Sequence, residues 1–168
     1  YRGSRLATAA VGITTLTHRL LGTWRNKVDR FVALTEFAKA MFASAGIPQS
    51  KVAVKPNFVA PLTVPDVASD SVLFVGRLSA EKGIDTLLRA AALAPELSFR
   101  IAGDGPLADS VRECANELAN VTWLGSCTRE QIAAELGRGI FLAFPSQWYE
   151  GMPMTILEAF SAGVPVVA

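Results

Sequence analysis

The fold is decided by the stretch VLFVGRLSAEKGIDTLLRAAA, residues 72–92. Its first four residues form a short apolar run, which is typical of a strand buried on both faces. Gly76 ends that run, and Ile84, Leu87 and Ala91 then recur at the i, i+3, i+7 spacing of an amphipathic helix. This strand, turn and helix therefore predict the first part of a parallel β–α–β unit.

The same alternation continues to the last residue. Further strands are predicted over 97–102, 121–124, 140–144 and 164–168. Helices are predicted from Pro106 over 107–118, from the capping box of Thr128 and Gln131, and over 154–162. Four strand–helix units joined by short turns predict an α/β fold with a parallel sheet and right-handed crossovers.

Residues 1–57 carry a shorter α/β pattern. It predicts a helix over 6–24, a strand over 31–34, a helix capped by Thr35 and a strand over 51–55. The following segment, 58–70, has no periodicity and contains Pro65, Asp66 and Ser69, so that it is interpreted as an interdomain linker. The chain is therefore divided into part of one α/β domain (1–57), a linker (58–70) and most of a second domain (71–168).

Composition excludes several classes of protein. Hydrophobic residues make up 51% of the chain and charged residues 18%, which provides a core and argues against disorder. Sixteen basic and fifteen acidic residues leave a net charge of +1, which gives no reason to expect a nucleic-acid partner. No apolar run approaches the ~20 residues that span a bilayer. Two cysteines and one histidine form neither a disulfide framework nor a zinc site, so that a cytoplasmic location is predicted.

Three polar segments are predicted at the rim where ligands of doubly wound sheets bind. The turn 76–83 carries two cations, Arg77 and Lys82, which together suit a diphosphate. The turn 103–106 follows the next strand. The loop 145–153 leads into a helix N-terminus, where backbone N–H groups and the helix dipole favour anions.

Two carboxylates belong to the third segment. Glu158 lies in an otherwise apolar helix and needs a partner, which a ribose diol or a structural ion pair would supply. Glu150 lies in the preceding loop, at the mouth of the same predicted pocket. No Asp-x-Asp pair is present, so that Arg77 and Lys82 are expected to neutralise the diphosphate without a metal ion.

Four motifs in this order resemble the family-four retaining glycosyltransferases. They are Gly76-Arg77-x4-Lys82-Gly83, Gly103-x-Gly105-Pro106, Glu150-x7-Glu158 and Ala162-Gly163-x-Pro165-Val166. Those enzymes have the GT-B fold, in which two Rossmann-like domains with helices on both faces of the sheet flank a cleft. The resemblance implies that 71–168 is most of the nucleotide-sugar-binding domain and that 1–57 ends the acceptor-side domain. The chain is then expected to be a fragment, inactive by itself.

The resemblance also implies roles for individual residues. Arg77 and Lys82 would hold the diphosphate and stabilise the leaving group, Glu150 would act at the donor sugar, and these three form the expected catalytic set. The expected donor-binding residues are Gly76, Arg77, Lys82, Gly103, Gly105, Glu150, Gly151, Met152, Pro153, Met154 and Glu158. The implied reaction transfers a hexose from a nucleotide-diphosphate sugar to a saccharide, lipid or small-molecule acceptor, with no cofactor and no metal.

Other functions stay open at this point. A nucleotide- or glycan-binding module of the same architecture would bind without transferring, and a sugar-nucleotide epimerase would share the donor-site chemistry. A nicotinamide-dependent dehydrogenase is disfavoured because Gly103-Asp104-Gly105 does not continue into Gly-x-Gly-x-x-Gly. Trp148 and Tyr149 allow two interpretations, stacking on a sugar or packing on a neighbouring domain.

Two expectations concern partners other than the donor and acceptor. Residues 1–57 hold nine Lys or Arg against two acidic residues, which suits peripheral association of the full-length protein with the inner face of the membrane. A parallel sheet cut before its last strand exposes an edge, which suits self-association of the fragment.

Overall fold

The computed structural model describes residues 4–65, 67 and 70–168, within two compact units that span 1–57 and 58–168. Asp66 and Ser69 of the predicted linker, like residues 1–3, lie outside the described residues. The predicted linker 58–70 falls within the second unit, and its residues Leu62 and Val64 pack on the apolar core of that unit. The backbone N–H of Leu62 also donates to Ser161 Oγ at 3.0 Å. The packing and this hydrogen bond fix the position of Leu62 and its neighbours on the core of the second unit.

The first unit contains two parallel strands and the helices around them. Its elements are α1 (Arg5–Leu20), α2 (Thr23–Asn26), β1 (Phe31–Ala33), α3 (Glu36–Ser44), a 3-10 turn (Gln49–Lys51) and β2 (Val52–Val54). The first predicted helix ends at Leu20 because the N–H of Gly22 bonds to Arg19 O and closes the last turn. Thr35 caps α3 as predicted, accepting from Ala38 N at 3.0 Å. Among the described residues, we find no helix with the length and hydropathy needed to cross a membrane.

The second unit contains a five-stranded parallel sheet with helices on both faces. Its elements are β3 (Ser71–Val75), α4 (Ile84–Leu93), β4 (Ser98–Ala102), α5 (Ala108–Glu117), β5 (Val121–Gly125), α6 (Arg129–Arg138), β6 (Gly139–Ala143), α7 (Met154–Ser161) and β7 (Val166–Val167). The strand order is β5-β4-β3-β6-β7. The predicted α/β fold with a parallel sheet is confirmed.

The apolar run of β3 is explained by burial on both sides of the sheet. Val72 and Phe74 point into one cluster with residues of α4 and α5, such as Leu87 and Val111. Leu73, between them, belongs to a second cluster that includes Leu136 of α6 and Ala159 of α7. Because side chains alternate across a strand, a strand covered by helices on both faces is apolar at successive positions, as residues 72–75 are. The buried Ser71 at the start of β3 instead donates its hydroxyl to Arg138 O at 3.4 Å.

Within the second unit, two predicted boundaries differ from the structure by more than one residue. The helix predicted from Pro106 begins at Ala108, because the N–H of Leu107 donates to Leu78 O at 2.9 Å and keeps this residue in the turn. The strand predicted over 164–168 is limited to Val166–Val167. Its first residue, Val164, instead donates its N–H to Ala159 O at 2.9 Å and closes the end of α7.

The strand order places a topological switch point between β3 and β6. From β3 the chain proceeds outward to β4 and β5, then returns to the other side of β3 to form β6 and β7. The turn after β3 and the loop after β6 therefore leave the sheet side by side. Crevices at such switch points bind ligands in open α/β sheets.

The two segments approach most closely at Gly83. This residue has a φ of 72°, and a Cβ atom added to it would lie 2.0 Å from Pro145 O. Both the left-handed backbone and the lack of space exclude other residues at this position. Gly83 thus allows the turn after β3 to lie directly against the loop after β6.

We predict that Gly83→Ala lowers the free energy of unfolding by at least about 3 kcal/mol, since the clash with Pro145 adds to the strain of a left-handed alanine. Gly125→Ala is the matched control, because its φ is 68° but the added Cβ meets nothing within 4 Å. It should cost only about 1 kcal/mol. Urea unfolding of both variants measures the difference, and equal losses would contradict the close approach.

Candidate functional site

Two adjoining clefts lie at the carboxyl edge of the second unit's sheet. The first has a volume of about 240 Å³ and lies beyond the ends of β3 and β6. The residues lining it include Gly76, Arg77, Lys82, Ser146, Glu150 and Met154. Residues from the turn after β3 and the loop after β6, which are far apart in sequence, therefore share one cleft.

The second cleft lies beyond the ends of β3, β4 and β5 and has a volume of about 360 Å³. Its lining includes Gly76, Arg77, Gly103, Asp104, Ser126 and Cys127. Gly76 and Arg77 line both clefts. One extended ligand could therefore occupy both clefts while passing Arg77.

A salt bridge connects the two segments that form the first cleft. Lys82 Nζ lies 2.5 Å from Glu150 Oε1, and each side chain is 27% exposed. Ser146 Oγ donates to the same oxygen at 2.7 Å. Lys82 also lies over the ring of Phe144, 5.8 Å from its centroid. The structure thus brings together two of the predicted catalytic residues, Lys82 and Glu150, as a partly buried ion pair.

Backbone contacts hold the loop after β6 in place. The N–H of Gln147 donates to Glu81 O at 2.9 Å, and Ser146 Oγ lies 3.4 Å from the same carbonyl. The side chain of Glu81 is in turn oriented by Ser79 Oγ, which donates to its Oε1 at 2.7 Å. The loop is therefore attached to the turn after β3 through the backbone as well as through side chains.

Lys82 and Glu150 compensate each other's charge within the first cleft. The hydrogen bond from Lys82 holds the pKa of the Glu150 carboxyl below its usual value, against the opposing effect of burial. The hydrogen bond from Ser146 acts in the same direction as that from Lys82. Glu150 is therefore a carboxylate at neutral pH and neutralises part of the charge of Lys82.

Arg77 differs from Lys82 in its surroundings. It is exposed, and the ion pairs formed by the described part of the chain do not include it. Its guanidinium group offers five N–H donors in a planar fork, which matches the oxygens of a phosphate. Glu81 lies near enough to interact with Arg77 electrostatically. Of the two predicted phosphate ligands, Arg77 is nevertheless the one without a direct ion pair among the described residues.

Of the other predicted donor-binding residues, some line a cleft and some do not. Pro153 and Met154 line the first cleft, and Gly103 lines the second. Neither lining contains the other four, which are Gly105, Gly151, Met152 and Glu158. Glu158 is 16% exposed, and its Oε1 lies 4.0 Å from Arg129 Nε. It lies one helical turn beyond Met154, on the same side of α7.

Sequence reasoning missed two supporting residues. Ser146 orients Glu150, and the only signal for it is a hydroxyl residue four positions earlier in a loop. Trp123 of β5 donates its Nε1–H to Gly103 O at 3.1 Å, while Arg112 stacks 4.9 Å from the indole centroid. Trp123 thus holds the turn that lines the second cleft, and nothing in its local sequence indicates this partner.

The described residues contain no group of three or more His, Cys, Asp or Glu side chains that could hold a metal ion. This result concerns protein ligands alone, whereas a metal ion can also be brought by a diphosphate. The expectation that donor binding needs no metal therefore stays a prediction.

Residues 65–168 match the family described as glycosyl transferases group 1. The chain is 32% identical over 151 residues to "Exopolysaccharide phosphotransferase SCO2592" of Streptomyces coelicolor, covering 84% of this chain and 16% of that protein. It is 27% identical over 175 residues to "Alpha-galactosylglucosyldiacylglycerol synthase" of Streptococcus pneumoniae, covering 90% and 46% respectively.

A solved structure shares the fold. The pneumococcal O-GlcNAc transferase GtfA, in complex with UDP and GlcNAc, is 28% identical to this chain with a TM-score of 0.71. The match covers 86% of this chain and 31% of that one. The chain thus spans less than half the length of each of these three proteins.

We predict that Glu150→Gln removes part of the acid sensitivity of folding. Because the folded pKa of Glu150 is lowered, its ionised form stabilises the fold. This contribution is complete above the unfolded glutamate pKa of about 4.3 and disappears as the pH falls through the lower folded value. The melting temperatures of wild type and variant should therefore differ most near neutral pH and converge in acid.

Thermal melts between about pH 3 and about pH 7 measure this effect. Glu113→Gln is the matched control, because Glu113 is an exposed residue of α5. It should change the melting temperature little at every pH. A constant offset between Glu150→Gln and wild type across the whole range would contradict the assigned ion pair.

Proposed function

Since the chain belongs to the glycosyl transferases group 1 family, we propose that it holds the donor site of a retaining glycosyltransferase. The enzyme would transfer a hexose from a nucleotide-diphosphate sugar to an acceptor hydroxyl. The observation that carries this proposal is the position of Arg77, which borders both clefts at the switch point of the sheet and forms no direct ion pair within the described part of the chain. A diphosphate is the part of such a donor that joins its two ends and carries its charge.

The clefts suggest an orientation for the donor. The nucleoside would occupy the cleft of about 360 Å³ beside Gly103 and Cys127. The sugar would occupy the cleft of about 240 Å³ beside Glu150. The diphosphate between them would lie at Arg77. The complex of GtfA with UDP and GlcNAc, which shares this fold, supports a nucleotide and a sugar as the two occupants.

The N-terminus of α7 would assist the diphosphate. Met154 and Thr155 form the start of this helix and line the first cleft, and its first turn contains no acidic residue. Unpaired backbone N–H groups at a helix N-terminus carry partial positive charge, which favours an anion there. The sequence motif of Gly151 to Met154 would thus act through its backbone rather than through its side chains.

Lys82 would have a second role, in the reaction itself. Its charge is balanced by Glu150, whose Oε1 lies 2.5 Å from Lys82 Nζ. As the bond to the diphosphate breaks, negative charge grows on the leaving phosphate, and an ammonium group already oriented in the cleft would stabilise it without reorganisation. Glu150 would hold Lys82 in place and accept a hydrogen bond from a donor-sugar hydroxyl, while Glu158 would accept from the ribose hydroxyls.

The bonds, electrons and protons of the transfer step are all accounted for without a cofactor. The bond between the anomeric carbon and the diphosphate oxygen breaks, and its electron pair leaves with the nucleotide diphosphate. The acceptor oxygen forms a new bond to the anomeric carbon on the same face, through an oxocarbenium-like transition state. The proton of the acceptor hydroxyl passes to an oxygen of the departing phosphate, and Arg77 and Lys82 compensate the charge in place of a metal ion.

The proposed environment is the cytoplasm, at the inner face of a membrane. Cys114 and Cys127 are free thiols, as is usual in a reducing compartment. Residues 1–57 hold nine basic and two acidic side chains, and apolar side chains of α1 such as Leu6 and Leu20 are exposed. Such a surface suits peripheral attachment of the whole protein to anionic lipid.

We predict that one of UDP, GDP and ADP binds the chain saturably and that Arg77→Ala weakens this binding about tenfold or more. The reason is the loss of a charge-assisted hydrogen bond to the diphosphate. Titration calorimetry with the three nucleotides measures the affinities and identifies the base. Glu158→Gln, tested with the same nucleotide, should also weaken binding if the carboxylate accepts from the ribose.

Arg89→Ala is the matched control, because Arg89 is an exposed arginine of α4 outside both clefts. It should bind the nucleotide like wild type. Equal affinities of Arg77→Ala and Arg89→Ala would refute the assigned diphosphate site. If saturable binding is lost only in Glu158→Gln, the nucleotide binds beside Glu158 and not at Arg77.

A further inference from the structure

Two large aromatic side chains stand exposed directly before Glu150. Trp148 is 71% exposed and Tyr149 is 89% exposed. Exposing two neighbouring large aromatic side chains is costly for a folded protein, because burying such rings contributes much of the hydrophobic stabilisation. Both rings directly precede Glu150, which lines the first cleft, so that a ligand beside that cleft could cover them.

The loop that carries the two rings is held on both sides. Before them, the N–H of Gln147 donates to Glu81 O at 2.9 Å. After them, Glu150 is bound by Lys82 at 2.5 Å and by Ser146 Oγ at 2.7 Å. The backbone on either side of the two rings is thus held in place, which reduces the entropy that the loop loses on binding.

The polar groups beside the rings define the chemistry of the ligand. Ser146 supplies a hydroxyl, Gln147 an exposed amide and Glu150 a carboxylate. A pyranose ring has one face of C–H groups, which packs on the electron-rich face of an aromatic ring, and hydroxyl groups at its edge, which bond to carboxylates and amides. Aromatic faces flanked by these groups are therefore complementary to a sugar.

Two other classes of ligand fit less well. A nucleic acid would bring its phosphates close to the carboxylate of Glu150, with no additional basic residue in the loop 145–153 to offset the repulsion. A lipid chain would need a continuous apolar surface, whereas Ser146, Gln147 and Glu150 interrupt it.

The two rings lie beside the proposed donor sugar rather than around it. Glu150 lines the cleft of about 240 Å³, whereas Trp148 and Tyr149 are not part of its lining. A ring stacked on them would therefore lie outside that cleft, beside the loop that carries Glu150, and would be a second sugar. A transferase holds its acceptor in this position relative to the donor.

We propose that Trp148 and Tyr149 form an aromatic platform for a pyranose ring of the acceptor, which makes a saccharide the acceptor class of this enzyme. The assignment of the ring to the acceptor rests on the proposed function. The platform orients the acceptor ring so that one of its hydroxyls faces the donor sugar beside Glu150.

Saturation-transfer NMR with methyl glycosides of glucose, galactose, mannose and N-acetylglucosamine tests the platform on the complete chain. At least one glycoside should receive saturation at its C–H protons, with an affinity that Trp148→Ala and Tyr149→Ala each lower about fivefold. Trp148→Phe should recover part of the loss, since it restores an aromatic face. Phe58→Ala is the matched control, because Phe58 is 81% exposed and lies outside the loop 145–153.

The nucleotide titration is repeated on the same variants, which separates the two proposals. Loss of glycoside binding with unchanged nucleotide affinity supports the platform. Glycoside binding that persists in Trp148→Ala and Tyr149→Ala, or is absent from wild type, overturns it. Displacement of the glycoside by the nucleotide sugar, but not by the nucleotide alone, assigns the rings to the donor sugar and overturns the acceptor role. Failure of nucleotide binding alone refutes the proposed donor site and not the sugar platform.

Discussion

The backbone of Gly83 approaches Pro145 so closely that a Cβ atom at Gly83 would lie 2.0 Å from the Pro145 carbonyl oxygen. The contacts of the site depend on this approach. It places the turn after β3 against the loop after β6, where the N–H of Gln147 reaches Glu81 O. Lys82 and Glu150, which are 68 residues apart in sequence, can then form their ion pair.

This contact is possible only because β3 and β6 are neighbours in the sheet. The chain builds β3, β4 and β5 in one direction and then returns to continue on the other side of β3. Helices cover both faces, so that residues 72–75 of β3 are all apolar, while the charged residues Arg77, Glu81 and Lys82 lie in the turn beyond its end. The same burial that stabilises the sheet therefore concentrates the charged groups at its carboxyl edge.

Within the site, the two cations have different electrostatic environments. Lys82 is compensated by Glu150 and is only 27% exposed, while Arg77 is exposed between the two clefts. An incoming anion would meet Arg77 without first breaking an ion pair. Lys82, by contrast, is oriented by its partner and would respond to charge that develops later. This division suits a site that first binds a diphosphate and then stabilises it as a leaving group.

Hydrogen bonds between residues that are distant in the chain could not be predicted from the sequence. The motifs placed Arg77, Lys82 and Glu150 near one another at the sheet edge, but the Lys82–Glu150 bond itself and the support from Ser146 were not predictable. Trp123 is a second example, since its partner Gly103 lies 20 residues away. Such hydrogen bonds depend on the strand order and on distances of a few tenths of an ångström, which no local pattern contains.

Local patterns in the sequence are enough to predict most of the secondary structure and the α/β class. Apolar periodicity shows which segments pair or pack, and Thr35 and Thr128 cap helices through N–H groups three residues away. The strand order, the packing of Leu62 on the core of the second unit and the pairing of Lys82 with Glu150 are seen only in the folded structure. They depend on the simultaneous packing of segments that are distant in the chain, and these segments meet only once the sheet has formed.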